Sequence, residues 1–135
     1  MNARPCTVLV VDDEAALRRV LARHLDREGY RVLEASTGES AYELITADRP
    51  DAILLDVHLP AMSGLALYLT IIHRWPELDG RIAIMSGDAD AEQVQVWLER
   101  HNCPVIRKPF NLHQITGWLR EMLAWRNRSR GNASG

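Results

Sequence analysis

The chain has 135 residues, of which 47% are hydrophobic and 25% are charged, and its formal net charge is -2. These values are typical of one soluble domain that needs no disulfide or metal to support its core, and the near-neutral charge argues against a nucleic-acid-binding surface. The two cysteines, Cys6 and Cys103, form no Cys-x-x-Cys motif, and no apolar run approaches the ~18 residues of a membrane span, so we expect a cytoplasmic protein without membrane contact.

Five short apolar segments alternate with longer segments of helical period. The short segments are nearly continuous in apolar character, which is typical of strands buried on both faces of a parallel sheet. In chain order, the predicted strands are Val8 to Val11, Val32 to Ala35, Ala52 to Leu55, Arg81 to Met85 and Val105 to Ile106.

The first three helices are predicted from apolar periodicity and from the residues that stop them. Apolar residues from Leu17 to Leu25 share one face of the first helix, and Gly29 lies where a glycine cap would end it. The second helix is predicted from about Glu39 to Ala47. The third begins near Ser63 and ends before Pro76.

The last two helices carry N-terminal capping boxes. Asp90 with Gln93 is predicted to open the fourth helix. Asn111 with Gln114 repeats the box at the fifth helix, which we expect over about Leu112 to Trp125, and a hydrophobic staple is expected beside it between Phe110 and Ile115.

Strict alternation of strands and helices indicates parallel strands joined by right-handed crossovers, with helices on both faces of the sheet. The predicted fold is a doubly wound α/β domain. We expect a short head over residues 1–5, one domain over 6–125 and a flexible basic tail over 126–135. The tail contains three arginines and no acid, and a solubilised chain end explains it better than nucleic-acid binding.

Four of the five predicted strands are followed by residues that could share a charged site, whereas the second ends in Ala35-Ser36-Thr37 without a charge. In doubly wound sheets, ligands bind outside the carboxyl ends of the strands, so residues at these positions are the first candidates for a site. They are Asp12 and Asp13 after the first strand, Asp56 after the third, Ser86 after the fourth and Lys108 after the fifth.

If these strand ends converge, three carboxylates share one small site and repel each other. A divalent cation together with Lys108 brings the charge of this set to zero, which predicts an oxygen-ligated Mg²⁺. Zinc would require the histidine or cysteine ligands that the set lacks. A carboxylate beside Mg²⁺ can attack a phosphoryl group while the cation, an ammonium and a hydroxyl stabilise the transferred oxygens.

Simpler explanations compete with this site. Asp12 or Asp13 could only cap the first helix. Asp56 resists such an explanation, because an acid that closes the apolar strand would be buried at a cost unless it has a partner. Lys108 is the only lysine among 16 basic residues, which suggests a position that requires a compact ammonium.

Four motifs in order resemble the receiver domain of two-component response regulators, which has a flavodoxin-like fold with five parallel strands in the order 2-1-3-4-5. The resemblance covers about Cys6 to Leu123. The motifs are Val10-Val11-Asp12-Asp13-Glu14, the segment from Leu54 to Gly64, Met85-Ser86-Gly87 and Lys108-Pro109-Phe110.

The resemblance implies a role for each matching residue. Asp56 would be the phosphoacceptor, and Ser86 and Lys108 would contact its phosphoryl group. Asp12, Asp13, Asp56 and the backbone carbonyl of His58 would hold Mg²⁺ or Mn²⁺. The Lys108-Pro109 peptide bond would be cis, and the small Gly87 would leave room for the phosphoryl donor.

The switch and the phosphoryl lifetime are also implied by the family. Members usually couple movement of the hydroxyl residue to rotation of an aromatic on the fifth strand, but this chain has Val105 at that position, so we expect a weaker or differently transmitted response. His58 and Asp88 occupy positions that tune phosphoryl lifetime. His58 either influences the hydrolytic water or contributes only its carbonyl.

The resemblance implies a bacterial signalling domain that accepts a phosphoryl group from a histidine kinase or a histidine phosphotransfer protein. Its only reactions would be Mg²⁺-dependent self-phosphorylation and slow autodephosphorylation, so it would not be a turnover enzyme. An output partner would bind the face of the fourth helix, fifth strand and fifth helix, and the chain would be a monomer or weak dimer.

Three alternatives remain open. The domain could be cut from a hybrid sensor histidine kinase or a longer response regulator, or it could be an interaction module that ignores phosphorylation. A phosphatase or transferase that works through an aspartyl phosphate is disfavoured, because such enzymes usually carry a second acid two residues after the nucleophile, where this chain has His58.

Overall fold

A computed structural model describes residues 5–87 and 91–134, with side chains described through residue 124. Five strands alternate with five helices, and a short 3-10 helix (Pro76–Leu78) precedes the fourth strand. The strands are β1 (Thr7–Val11), β2 (Arg31–Ala35), β3 (Ala52–Asp56), β4 (Ile82–Ser86) and β5 (Val105–Arg107). The helices are α1 (Ala15–Arg27), α2 (Gly38–Ala47), α3 (Gly64–Arg74), α4 (Ala91–Leu98) and α5 (Leu112–Ser134).

The five strands form one sheet in the order β2-β1-β3-β4-β5, and every neighbouring pair is parallel. This confirms the predicted flavodoxin-like doubly wound fold. Apolar side chains of α1 and α5 pack on one face of the sheet, and those of α2, α3 and α4 pack on the other. Alternate residues of β1 enter the two layers, because successive side chains of a strand point to opposite faces.

Two predicted helix ends are confirmed by their hydrogen bonds. The N–H of Gly29 donates to the carbonyl of Asp26 and the N–H of Tyr30 to that of Leu25, which is a Schellman ending, and Gly29 has the positive φ of +95° that this ending requires. At the start of α5, the N–H of Asn111 donates to Gln114 Oε1 (2.9 Å), and the N–H of Gln114 donates to Asn111 Oδ1 (3.0 Å).

The start of α3 is fixed in a similar way, because Ser63 Oγ accepts from the N–H groups of Leu65 and Ala66. Asp90, half of the capping box predicted for α4, lies outside the described residues. The domain boundaries at residues 5/6 and 125/126 stay predictions.

The prediction of the end of α5 near Trp125 was wrong, since the helix continues to Ser134. Apolar periodicity stops near Trp125, but periodicity reports which face is buried and not where helical hydrogen bonding stops. No proline follows Trp125 to interrupt the helix, and the single Gly131 costs only about 1 kcal/mol relative to alanine. Within the described part of the chain, no helix combines the length and apolar character needed to cross a membrane.

Candidate functional site

Three carboxylates meet at the carboxyl edge of the sheet. Asp12 directly follows β1, Asp56 is the last residue of β3, and one carboxylate oxygen from each of Asp12, Asp13 and Asp56 lies within 4.8 Å of the others. Asp12 is fully buried, Asp56 is 5% exposed and Asp13 is exposed. The structure therefore brings together the three acids that the sequence predicted to converge.

Lys108 supplies the positive charge of this cluster. Its Nζ lies 3.3 Å from Asp12 Oδ2 and 3.3 Å from Asp56 Oδ2, so one ammonium contacts both buried acids. The Lys108 N–H donates to the carbonyl of Ser86 (2.7 Å), which continues the β4–β5 pairing into the loop, and the Lys108–Pro109 peptide bond is cis as the resemblance implied.

The electrostatics of the cluster follow from burial and from like charge. Burial, and then the neighbouring Asp12 carboxylate, raise the pKa of Asp56 from 3.8 to about 6, although Lys108 and the His58 N–H oppose the rise. Burial tends to lower the pKa of Lys108, but Asp56 and Asp12 outweigh it and raise that pKa above its usual value. The three carboxylates together therefore carry more negative charge than the single Lys108 ammonium neutralises.

Asp12 is held by the backbone and by Arg18. Its Oδ1 accepts from the Glu14 N–H (2.9 Å), and its backbone carbonyl accepts from Arg18 Nη1 (2.7 Å). Arg18 Nε also pairs with Glu34 Oε1 on β2 (3.1 Å). The N-cap of α1 is Glu14 and its side chain makes no capping bond, so neither Asp12 nor Asp13 occupies the N-cap position.

Sequence reasoning did not single out Arg18. The available signal was a basic residue in the first turn of a helix whose neighbouring strand carries the acid Glu34 near its carboxyl end. Its contact with the Asp12 backbone makes Arg18 part of the support of the site.

Ser86 is the last residue of β4 and is 3% exposed. Its neighbour Met85 pairs with Asp56 across the β3–β4 ladder, which brings Ser86 to the same sheet edge as the acids. Ser86 Oγ donates to the Gly87 carbonyl (3.3 Å).

The loop between β3 and α3 closes one side of the cluster. The His58 N–H donates to Asp56 Oδ1 (3.4 Å), and His58 and Ser63 form an antiparallel bridge across the loop. The Gly64 N–H donates to the Val57 carbonyl (2.7 Å), and a Cβ at Gly64 would overlap the Asp56 carbonyl oxygen. Only glycine fits this approach, although the sequence analysis gave Gly64 no role beyond membership of a motif.

Two further positions were predicted to affect the switch or the phosphoryl lifetime, Val105 and Asp88. Val105 begins β5, pairs with Ile84 and packs, partly buried, against the apolar layer under α2, α3 and α4. Asp88 lies outside the described residues.

Comparison with known families and proteins gives a consistent result. The model of the response regulator receiver domain matches residues 8–120. Sporulation initiation phosphotransferase F of Bacillus subtilis is 30% identical over 118 residues, which cover 86% of this chain and 92% of that protein. Response regulator MprA of Mycolicibacterium vanbaalenii is 34% identical over 119 residues, which cover 88% of this chain but 51% of MprA.

Solved structures agree. The receiver domain of NtrX from Brucella abortus is 30% identical, with a TM-score of 0.77 over 87% of this chain and 98% of that one. A response regulator structure from Chloroflexus aurantiacus is 28% identical, with a TM-score of 0.77 over 90% and 99% of the two chains. The chain thus spans nearly all of some relatives and about half the length of others, such as MprA.

Proposed function

The chain belongs to the response regulator receiver domain family of two-component systems, and from this premise we propose that it accepts a phosphoryl group on Asp56. The observation that carries the proposal is a buried carboxylate at a strand end, with an ammonium 3.3 Å away and two further acids beside it. Phosphoryl transfer to a carboxylate needs such a site, because catalysis consists mainly of positioning and of stabilising charge.

We propose a phosphohistidine of a histidine kinase or histidine phosphotransfer protein as the donor. An Asp56 carboxylate oxygen attacks phosphorus, the new O–P bond forms, and the N–P bond to the donor imidazole breaks. The imidazole nitrogen keeps the electron pair of that bond and takes up a proton. The product is an acyl phosphate, which water later hydrolyses to regenerate the carboxylate.

Mg²⁺, or Mn²⁺ in its place, fits the donor set of Asp12, Asp13 and Asp56. The available ligands are carboxylate oxygens, which these cations prefer, and they lie close enough together to share one ion. When bound, the cation supplies charge stabilisation to the transferred phosphoryl oxygens. Burial, and then the Asp12 carboxylate, raise the pKa of Asp56 despite Lys108, and a cation bound beside Asp56 would oppose this rise. The backbone carbonyl of His58 is proposed as a further ligand.

Ser86 and Lys108 are proposed to contact the phosphoryl group. The Lys108 ammonium already lies 3.3 Å from Asp56 Oδ2, and a small shift would let it pair with a phosphoryl oxygen instead. Ser86 offers a buried hydroxyl whose present acceptor is a backbone carbonyl. Gly87 leaves space beside it for the donor.

Phosphorylation is proposed to change partner binding through α4, β5 and α5. Val105 has no ring to rotate inward, so the proposed coupling depends on movement of Ser86 and is weaker than in relatives with an aromatic at this position. Spectra of the phosphorylated and free protein with no changes outside the site would contradict this coupling.

His58 and Asp88 are proposed to tune the lifetime of the acyl phosphate. If the His58 ring orients or blocks the attacking water, His58→Ala changes the rate of phosphoryl loss. Equal decay rates in the variant and the parent would leave His58 with only its backbone role.

The protein is a signalling domain, and we propose that its chemistry is limited to taking up and slowly losing one phosphoryl group. A longer response regulator or a hybrid sensor kinase would be the context if the chain is part of a larger protein, since it covers about half of relatives such as MprA. A domain that ignores phosphorylation is the remaining alternative, and the intact set of acids, Ser86 and Lys108 opposes it.

The test is the intact mass of the protein after incubation with Mg²⁺ and acetyl phosphate. We expect a gain of one labile phosphoryl group in the parent and none in Asp56→Asn or after chelation of the metal. Asp51→Asn is a matched control, because Asp51 is an acid just before β3 at the opposite edge of the sheet, and it should still be phosphorylated. Equal gain in the parent and Asp56→Asn would contradict the proposal.

A further inference from the structure

The outer face of α3 is unusual for a surface helix. From Gly64 to Ile72 the helix carries no charged residue, and its outward positions include Ala66, Leu69 and Thr70. α3 is the middle helix of its layer, with α2 on one side and a groove shared with α4 on the other. The centre of this layer therefore presents an uncharged surface to solvent.

Apolar side chains are concentrated at this centre. Leu69 is 39% exposed and Val96 is 58% exposed, and both line the groove of about 530 Å³ between α3 and α4. Each is the sixth residue of its helix. The third large apolar side chain exposed among the described residues, Val20, lies on α1 in the opposite layer.

Charges flank the apolar centre with opposite signs at its two ends. The amino ends of α2 and α4 carry Glu39 and Glu92, whereas His73, Arg74, Arg100 and His101 lie at or just after the carboxyl ends of α3 and α4, with Glu99 as one acid among them. Glu92 and Arg100 lie four residues before and after Val96. Neither makes an ion pair with any residue that the structure describes.

This arrangement is self-complementary. A two-fold axis that lies in the plane of the face and runs across α3 exchanges its two ends, so the acidic end of one copy meets the basic end of the other. The apolar centres then face each other, and the two α3 helices run antiparallel. Acids at the amino ends and bases at the carboxyl ends of helices also interact favourably with the helix dipoles, so these charges do not by themselves require a partner. The exposed apolar centre between them is therefore the observation that indicates a partner.

We propose that the outer face of α3 and α4 is a docking surface for a second copy of this chain. Leu69 of each copy enters the α3–α4 groove of the other, where the small Ala66 allows close approach of the helices. Glu92 of each copy faces Arg100 of the other, so each dimer has two such pairs. This face shares α4, but neither β5 nor α5, with the surface proposed for the output partner.

The first test is sedimentation equilibrium of the unphosphorylated full chain up to about 1 mM. We expect a monomer–dimer equilibrium in the parent and a dissociation constant raised at least about tenfold by Leu69→Gln, because each dimer loses two buried leucines. Val20→Gln, a comparable apolar-to-polar change at an exposed position of the opposite layer, leaves the constant unchanged. A parent that stays monomeric, or a dimer indifferent to Leu69→Gln, would overturn the proposal.

The second test uses charge reversal, with circular dichroism to confirm that the variants fold. Glu92→Arg alone and Arg100→Glu alone each place like charges opposite each other and should weaken the homodimer. An equimolar mixture of the two variants should associate again, because the mixed dimer regains two opposite-charge pairs. If the mixture is as weak as either variant alone, the antiparallel arrangement is wrong.

Discussion

Replacing Asp56 with asparagine should stabilise the metal-free protein, although it removes the proposed phosphoacceptor. Asp56 is buried, and its pKa is raised from 3.8 to about 6 by burial and by the neighbouring Asp12. The folded protein therefore binds a proton at Asp56 more tightly than the unfolded chain does. Ionised Asp56 lowers the free energy of unfolding, and this penalty grows as pH rises from about 4 and is complete above about pH 6.

The magnitude follows from that difference of about two pKa units. At about 1.36 kcal/mol per unit, the penalty is about 3 kcal/mol at pH 7.5 and about half of that at pH 5, as upper bounds. Urea unfolding in the presence of a chelator, followed by tryptophan fluorescence, measures it at both pH values. Glu121→Gln removes one negative charge at an exposed position of α5 and should change the free energy of unfolding by less than about 0.5 kcal/mol.

The sign should reverse when Mg²⁺ is present. A cation that binds the folded parent through Asp56 stabilises it by mass action, and Asp56→Asn loses a ligand and most of that gain. An Asp56→Asn variant that is no more stable than the parent at pH 7.5 without metal would refute the electrostatic account. A stability difference that is the same at pH 5 and pH 7.5 would refute it equally.

Three other predictions follow from the same contacts. Mg²⁺ affinity, measured by calorimetry, should fall about tenfold between pH 7.5 and pH 5, because a proton on Asp56, whose pKa is about 6, competes with the metal. An unchanged affinity would mean that the ion binds elsewhere. Lys108→Met should destabilise the metal-free protein by about 1–2 kcal/mol in urea unfolding, because it leaves Asp12 and Asp56 without their shared ammonium, and no loss would mean that the ion pairs contribute little. Gly64→Ala should lower the free energy of unfolding by about 3 kcal/mol or more, because its Cβ meets the Asp56 backbone. Gly117→Ala, whose Cβ meets nothing within 4 Å, should raise it by about 1 kcal/mol. Thermal unfolding that finds the two variants equally stable would contradict this.

The three inner strands β1, β3 and β4 were predictable because they are buried on both faces and appear in the sequence as short apolar runs, whereas the edge strands β2 and β5 are only partly buried. The same burial made Asp56 conspicuous, since an acid that ends such a run needs a partner. Convergence of Asp12, Asp56 and Lys108 followed from the rule that parallel strands deliver their carboxyl ends to one edge. The strand order came from the family resemblance and not from the apolar pattern.

Other features depend on three-dimensional distances that a linear pattern does not contain. Arg18 reaches the Asp12 carbonyl and Glu34 across two elements, and neither spacing reveals the contact. The need for glycine at position 64 arises from close approach to the Asp56 backbone. In the sequence, Leu69 and Val96 fit the apolar periodicity of ordinary helices, and only the structure shows that their side chains are exposed.

The central claim is that Asp56, and not another acid of the cluster, receives the phosphoryl group. The most direct measurement is peptide mapping by mass spectrometry after phosphorylation with acetyl phosphate and Mg²⁺ and reduction with borohydride, which converts an aspartyl phosphate to homoserine. We predict homoserine at position 56 alone and none when the metal is chelated. Homoserine at position 12 or 13, with Asp56 unmodified, would contradict the account.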